Sequence, residues 1–183
     1  IKIGNTPNAF TLPVADTVMG YMLAFVRCQP WMDREMKAGH WEKIAGRSLS
    51  ECVLGVIGVG TIGKAVIRRA RAFGLTILGN DIIEIDHVFL AENGVEMAHL
   101  EDLLSHSDFV SLNCDLNPTS HHLMNSRTFA MMKPSTILIN TARGSIVDEP
   151  SLIEALQTGR IAGAALDVYE SEPLPADSPL VKM

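Results

Sequence analysis

The sequence predicts an α/β protein: a doubly wound parallel sheet with helices on both faces. Three observations carry that expectation. Apolar runs of strand length, such as Val53-Leu54-Gly55-Val56-Ile57, Phe109–Leu112 and Thr136–Asn140, recur along the chain. Segments with helical periodicity and helical end signals lie between them. The first of these runs leads straight into Gly58, Gly60 and Gly63, in G-x-G-x-x-G spacing, and helix formers follow from Lys64 to Phe73. Strands that alternate with helices give a parallel sheet covered on both sides.

Taken in order, Ile1–Thr6 has the composition of a short strand, and Asn5-Thr6-Pro7-Asn8 that of a turn. A long helix begins near Ala15, with Val18, Met19, Met22, Leu23, Phe25 and Val26 apolar nearly all round it. One surface suits its own domain; the other calls for a second copy of the chain, with burial inside the domain as the alternative. Pro30 should kink or break this helix. A second piece, Trp31–Ala38, stops at Gly39. Ile44–Ser50 is a polar connection, so residues 1–47 form an N-terminal strand and interdomain or dimerisation helix, and 48–183 the sheet domain. After Val53–Ile57 and its helix, Leu75–Asn80 is a second strand, ending at Asp81. A helix over Asp86–Asn93 closes at Gly94, Glu96–Ala98 is a short strand, and Leu100–Ser105 a short helix. Beyond Phe109–Leu112, Asn125 or Ser126 caps a helix running to Met132, which Pro134 ends. Thr136–Asn140 follows. Asp148 caps Pro150–Gln157, with proline in the first turn, and Gly159 closes it. Ile161–Leu166 is rich in glycine and alanine, so something packs tightly on it.

The 183 residues are 47% hydrophobic, enough for a real core, and carry a net charge of −6 with no basic block. That excludes nucleic acid and anionic membrane as natural partners. Cys28, Cys52 and Cys114 are odd in number and widely spaced, without a C-x-x-C, which points to reduced thiols and a cytoplasmic protein. No apolar run is long enough to span a bilayer. The abrupt ends, Ile1-Lys2-Ile3 and Leu180-Val181-Lys182-Met183, suggest a piece of a longer enzyme.

The glycine turn has chemical meaning because a strand enters it and a helix leaves it. Gly58 permits the tight turn. Gly60 lets a pyrophosphate approach the backbone, and Gly63 lets helix and strand pack closely. The free N–H groups of Thr61 and Ile62 lie at the helix N-terminus, where the macrodipole favours an anion. Asp81, about 20 residues on, is placed to accept hydrogen bonds from an adenosine ribose. No arginine follows it to receive a 2′-phosphate, so NAD is expected over NADP. The alternative is a structural βαβ unit that binds no nucleotide. In open α/β sheets ligands bind beyond the carboxyl ends of the strands, which directs attention to the residues that follow them. Arg143 can clamp a carboxylate and polarise a neighbouring carbonyl, or else pair structurally with Asp148 or Glu149. Asp167 can hold a carboxamide, or cap its loop. Glu170 and Glu172 precede Pro173, where a carboxylate can raise the pKa of a base; taken alone, each also suits solvent. None of the six histidines follows a strand with partners in view. His121-His122 resembles a metal pair, but adjacent rings should diverge, and no metal site is expected. The nine methionines suit core filling.

Four segments together give the chain a family resemblance: G-V-I-G-V-G-T-I-G-K at 55–64, N-T-A-R-G-S-I-V-D-E at 140–149, A-A-L-D-V-Y-E-S-E-P-L-P at 164–175 and N-T-P-N-A-F-T-L-P-V-A-D at 5–16. Along its whole length the chain resembles the D-2-hydroxyacid dehydrogenases, among them phosphoglycerate dehydrogenases and glyoxylate/hydroxypyruvate reductases. The resemblance implies a Rossmann fold, an NAD cofactor, a small 2-hydroxy or 2-oxo acid substrate and a homodimer. It implies that Thr61 and Ile62 hold the pyrophosphate and Asp81 the ribose. The Asn113–Asn117 loop, Cys114 above all, would wall the adenine. Thr141, Ala142, Arg143 and Asp167 would hold the nicotinamide end. Arg143 would bind substrate, and Glu172, rather than Glu170, would partner the catalytic histidine, which in this family follows the next strand, beyond Met183. The substrate domain would also lie outside this chain, leaving it unable to turn over alone. Asp115-Leu116-Asn117 stands where family members commonly have P-L-T. A cofactor-sensing, corepressor-like interaction protein on the same scaffold is the competing expectation.

Overall fold

A computed structural model describes residues 8–183. The strand expected at Ile1–Thr6 and most of the turn at Asn5–Asn8 lie outside the described residues. Helix α1 spans Thr11–Val26 and α2 Gln29–Lys37; β1 (Val53–Ile57), α3 (Thr61–Ala72), β2 (Thr76–Asn80), α4 (His87–Asn93), β3 (Val95–Met97), α5 (Leu100–His106), β4 (Phe109–Leu112), α6 (Ser126–Phe129), β5 (Ile137–Asn140), α7 (Glu149–Gln157) and β6 (Gly163–Leu166) follow. The six strands form one parallel sheet in the order β3-β2-β1-β4-β5-β6. Chain order reverses between β1 and β4, so a crevice opens beyond their carboxyl ends. The pairings Ile57↔Asn80, Ile57↔Leu112, Leu112↔Asn140 and Asn140↔Leu166 set five strand ends along one edge, and the site residues follow directly from them.

Each face of the sheet has its own core. One joins β1 and β2 to α1, α3 and α4 through Ala15, Val18, Met22, Val66, Ile67 and Phe89. The other joins the sheet to α5, α6 and α7 through Leu103, Leu104, Phe129 and Leu152. α1 therefore buries one side within its own domain, over α3, and Asp16 adds an ion pair to Arg69 at 2.7 Å. Phe10 and Leu12 remain 67% and 59% exposed. The tight packing expected over the last strand comes from α1: a Cβ on Gly163 would lie 3.1 Å from the Phe25 ring and 3.2 Å from Ile137.

Local chemistry explains the element ends. Pro30 sits in the first turn of α2, just after Cys28 in a left-handed conformation, so it separates two helices rather than kinking one. Asp86 caps α4 through Val88 N–H, and Gly94 closes it with positive φ. Asn125, not Ser126, caps α6, in a reciprocal capping box with Thr128. That helix ends at Phe129 rather than Met132. Met131 and Met132 bond back to Thr128 and Phe129 in tighter three-residue turns, because Pro134 prevents a further helical turn. The last strand starts at Gly163, two residues later than expected, because the N–H groups of Arg160 and Ile161 both turn back to Ala155.

Candidate cofactor and active site

At the glycine turn, Gly58 has φ +90, and a Cβ there would meet the Asn113–Cys114 backbone. A Cβ on Gly63 would collide with the Gly58 carbonyl, so this glycine is the close helix contact. A Cβ on Gly60 would meet nothing, which leaves that stretch of backbone bare toward the crevice. Gly60 is also the residue that opens α3, so the first free N–H groups of the helix belong to Thr61 and Ile62. Asp81 reaches back to the same turn: Oδ2 accepts from Val59 N–H at 2.7 Å and Oδ1 from Ile83 N–H at 3.2 Å. Gly58, Asp81, Ile82, Cys114 and Asn117 line one cleft. Burial, then the charges of Asp115 and Asp81, push the Cys114 thiol up, against a lowering backbone hydrogen bond. In the departing segment, Asn117 Oδ1 accepts from Thr119 N–H at 2.8 Å, and the Asp115 carbonyl accepts from Ser120 Oγ at 2.6 Å. Asn117 thus builds the turn with its own side chain.

The second group lies past β5 and β6. Buried Asn140 organises it, a role sequence reasoning missed although the residue ends an apolar strand. Its Oδ1 accepts from Ala142 N–H at 3.1 Å, its Nδ2 donates to the Arg143 carbonyl at 2.9 Å, and its carbonyl accepts from Asp167 N–H at 3.0 Å. Arg143 is exposed and donates to the Ala142 carbonyl at 2.7 Å. The structural alternative for it is not realised among the described residues, where it enters no salt bridge. Asp148 instead caps α7 through Ser151, and Glu149 meets Glu170. Gly144 packs so closely on the Tyr169 carbonyl that no Cβ fits. This brings the Arg143 turn against the loop that carries Glu172, whose Oε1 accepts from Tyr169 N–H at 3.0 Å. From α1, Tyr21 joins this region; burial, then the charges of Asp167 and Tyr169, push its phenol up.

One expectation is corrected. The rings of His121 and His122 do not diverge: they stack at 3.9 Å with 28° between planes. Left-handed backbone at His122 allows this, and His122 does have a partner, Glu170, 48 residues away at 2.5 Å. Nothing local in the sequence announces a pair so distant.

A family model described as the NAD binding domain of D-isomer specific 2-hydroxyacid dehydrogenases matches residues 19–183. The chain belongs to that family. A glyoxylate reductase from Korarchaeum cryptofilum is 41% identical over 189 residues, which take in all of this chain and 57% of that protein. A D-3-phosphoglycerate dehydrogenase from Methanocaldococcus jannaschii is 40% identical over 186 residues, all of this chain and 35% of that one. The chain therefore spans roughly a third to a little over half of these two relatives. Among solved structures, a D-isomer specific 2-hydroxyacid dehydrogenase from Xanthobacter autotrophicus Py2, in complex with NADPH and MES, matches with TM-score 0.87 and 34% identity over 97% of this chain and 56% of that one.

The residues of this dehydrogenase domain fit a nicotinamide dinucleotide. The turn at Gly60 is bare, Asp81 is fixed at its mouth, and two buried polar atoms, Asn113 Oδ1 and Thr141 Oγ1, have no partner among the described residues. Buried polar atoms are expected to be satisfied, and these two stand beside the strand ends where a ligand would supply the missing bonds.

Proposed function

We propose that this chain is the NAD-binding part of an enzyme that moves a hydride between nicotinamide and C2 of a small D-2-hydroxy or 2-oxo acid, most nearly a phosphoglycerate dehydrogenase, and that it prefers NAD to NADP. The observation that carries this is Asp81: its carboxylate is tied to Val59 N–H at the mouth of the glycine turn, with Ile82 and Ile83 after it and no arginine. Thr61 and Ile62 hold the pyrophosphate, Asp81 the adenosine ribose, Cys114 walls the adenine, and Thr141, Ala142 and Asp167 hold the nicotinamide end. When bound, nicotinamide would supply the acceptor or donor of the hydride. Arg143 grips the substrate carboxylate and draws charge from the C2 oxygen. Glu172 partners a histidine base that exchanges the hydroxyl proton, and favours its protonated form. Arg143 and Glu172 weigh against a sensor without chemistry, which needs neither. The exposed N-terminal end of α1, with Phe10 just before it and Leu12 in its first turn, is part of the homodimer contact.

The test pairs binding with turnover. Calorimetry on the 183-residue chain should give NAD binding at least about tenfold tighter than NADP, about 1.4 kcal/mol, without turnover by the chain alone. In the full-length enzyme Arg143→Ala should remove most activity toward 2-oxo acids and leave NAD affinity within a few-fold. No NAD binding, NADP bound equally well, turnover by the chain alone, or an active Arg143→Ala enzyme would each overturn the part it measures.

A further inference from the structure

Arg143 and Glu172 come from different loops, and something must keep those loops in register. Among the described residues, every hydrogen bond that joins residues 168–172 to another segment runs through Glu170. Its Oε1 meets His122 Nε2 at 2.5 Å, its Oε2 accepts from Glu149 N–H at 3.3 Å, and its own N–H donates to Glu149 Oε2 at 3.4 Å. His122 is fixed on the other side. Its N–H donates to the Ser145 carbonyl at 2.9 Å, two residues from Arg143. Met124 N–H then donates to Ile146 and Asp148 N–H to the Met124 carbonyl, at 3.0 and 2.8 Å. Residues 122–124 are thus zipped to the Arg143 turn, and the His122 ring reaches across to the Glu172 loop.

We propose that His122 is a positioning residue: through Glu170 it clasps the Glu172 loop to the Arg143 turn and so sets the spacing of the two groups at the reacting edge. This rests on the hydride-transfer reading above. The ring faces Glu170 on one nitrogen and Asp148 on the other, with Nδ1 3.8 Å from Asp148 Oδ1; His121 stacks on it, and Glu149 lies across the paired bonds with Glu170. Two carboxylates flanking one imidazole fix its orientation, as outer partners do for ligating histidines. Gly144 against the Tyr169 carbonyl gives close packing but no bond. Without the His122 link, the Glu172 loop keeps that van der Waals contact, the two longer bonds between Glu149 and Glu170 at 3.3 and 3.4 Å, and its internal Glu172–Tyr169 bond. Reacting groups on loosened supports lose rate steeply, since a displacement of about 1 Å can cost about a hundredfold.

The experiment is made in the full-length enzyme with His122→Ala, Glu170→Ala, the double variant and His122→Asn. Asparagine tolerates the left-handed backbone and keeps a side-chain donor. His122→Ala and Glu170→Ala should each lower kcat about ten- to hundredfold, while the Kd for NADH, read by fluorescence, stays within about twofold. The double variant should be no worse than Glu170→Ala, which already removes the His122 link together with the bond from Glu149 N–H. His122→Asn should recover most of kcat, and a general loss of folding would not be recovered that way. In the 183-residue chain, which carries the whole clasp, hydrogen exchange at residues 168–172 should speed up in His122→Ala and Glu170→Ala alike. This second readout stands if an alanine variant of the longer enzyme fails to fold. Unchanged kcat with intact NADH binding overturns the clasp and leaves the dehydrogenase reading standing, as do additive losses in the double variant or unchanged exchange in both alanine variants. Failure of the wild type to bind NADH overturns that reading, and the clasp with it.

Discussion

Removing the Asp81 carboxylate should weaken NAD and erase the choice between NAD and NADP. A carboxylate offers about four lone-pair positions. In Asp81 two are taken, by Val59 N–H and Ile83 N–H. About two remain, enough to accept from both hydroxyls of a ribose. Hydrogen bonds to a charged group contribute about 1.5–3 kcal/mol each. Asp81→Ala should therefore weaken NAD by at least one such bond, about ten- to hundredfold in Kd. NADP replaces one ribose hydroxyl with a phosphate, which a carboxylate repels, so the same substitution removes a penalty for NADP. The two cofactors should converge to within a few-fold. Calorimetry on the isolated chain reads both affinities, and a thermal melt without ligand checks that loss of the Val59 bond has not loosened the turn. NAD affinity within about twofold of wild type, with an unchanged melt, would refute the ribose role. Converged affinities reached by strengthening NADP alone would mean that Asp81 excludes NADP without holding NAD.

Asp108, with its side chain 12% exposed, accepts from Val53 N–H and Lys133 Nζ at 2.8 Å each, with Arg47 at 3.7 Å. Burial alone would raise its pKa; the Lys133 bond, the Val53 bond and the charges of Lys133 and Arg47 outweigh that and hold it below the ordinary value. A lowered folded-state pKa stabilises at pH above the unfolded value of about 3.9 and is lost as pH falls through the folded one. Asp108→Asn should thus cost about 1–3 kcal/mol near neutrality and progressively less in acid; urea melts giving a pH-independent difference would contradict this. For the dimer, light scattering at high concentration should give twice the chain mass, and Phe10→Ser with Leu12→Ser should shift it to monomer. A wild-type chain that is monomeric throughout would contradict the dimer.

The sheet was legible because its signals are local. The apolar runs of β1, β4 and β5 are buried along their whole length or nearly so, and buried parallel strands need continuous apolar sequence. Caps at Asn125 and Asp148 were legible for the same reason: each side chain bonds an N–H two or three residues ahead. The site divided along the same line. Gly58, Gly60, Gly63 and Asp81 belong to one strand–helix–strand unit, so spacing alone brought them together. Arg143 and Glu172 stood out by position after strands and by resemblance. What joins their loops did not, because His122 and Glu170 meet across 48 residues, and neither the His121-His122 pair nor the 164–175 motif that contains Glu170 points to the other.

The ranking of the two glutamates shows how far such reasoning reaches. The sequence places both before Pro173 and does not distinguish their surroundings; resemblance favoured Glu172. The structure gives each a different occupation. Glu170 has both oxygens engaged by the protein, one at His122 and one at Glu149 N–H. Glu172 has one bond, to Tyr169 N–H within its own loop, and is otherwise exposed. A carboxylate that must partner a base arriving from elsewhere needs a free oxygen, and a carboxylate that must hold a loop needs none. Glu172 meets the first requirement and Glu170 the second. On the proposed reading the two acids, two residues apart, divide the work at this edge: Glu170 anchors the loop and Glu172 is what the loop presents.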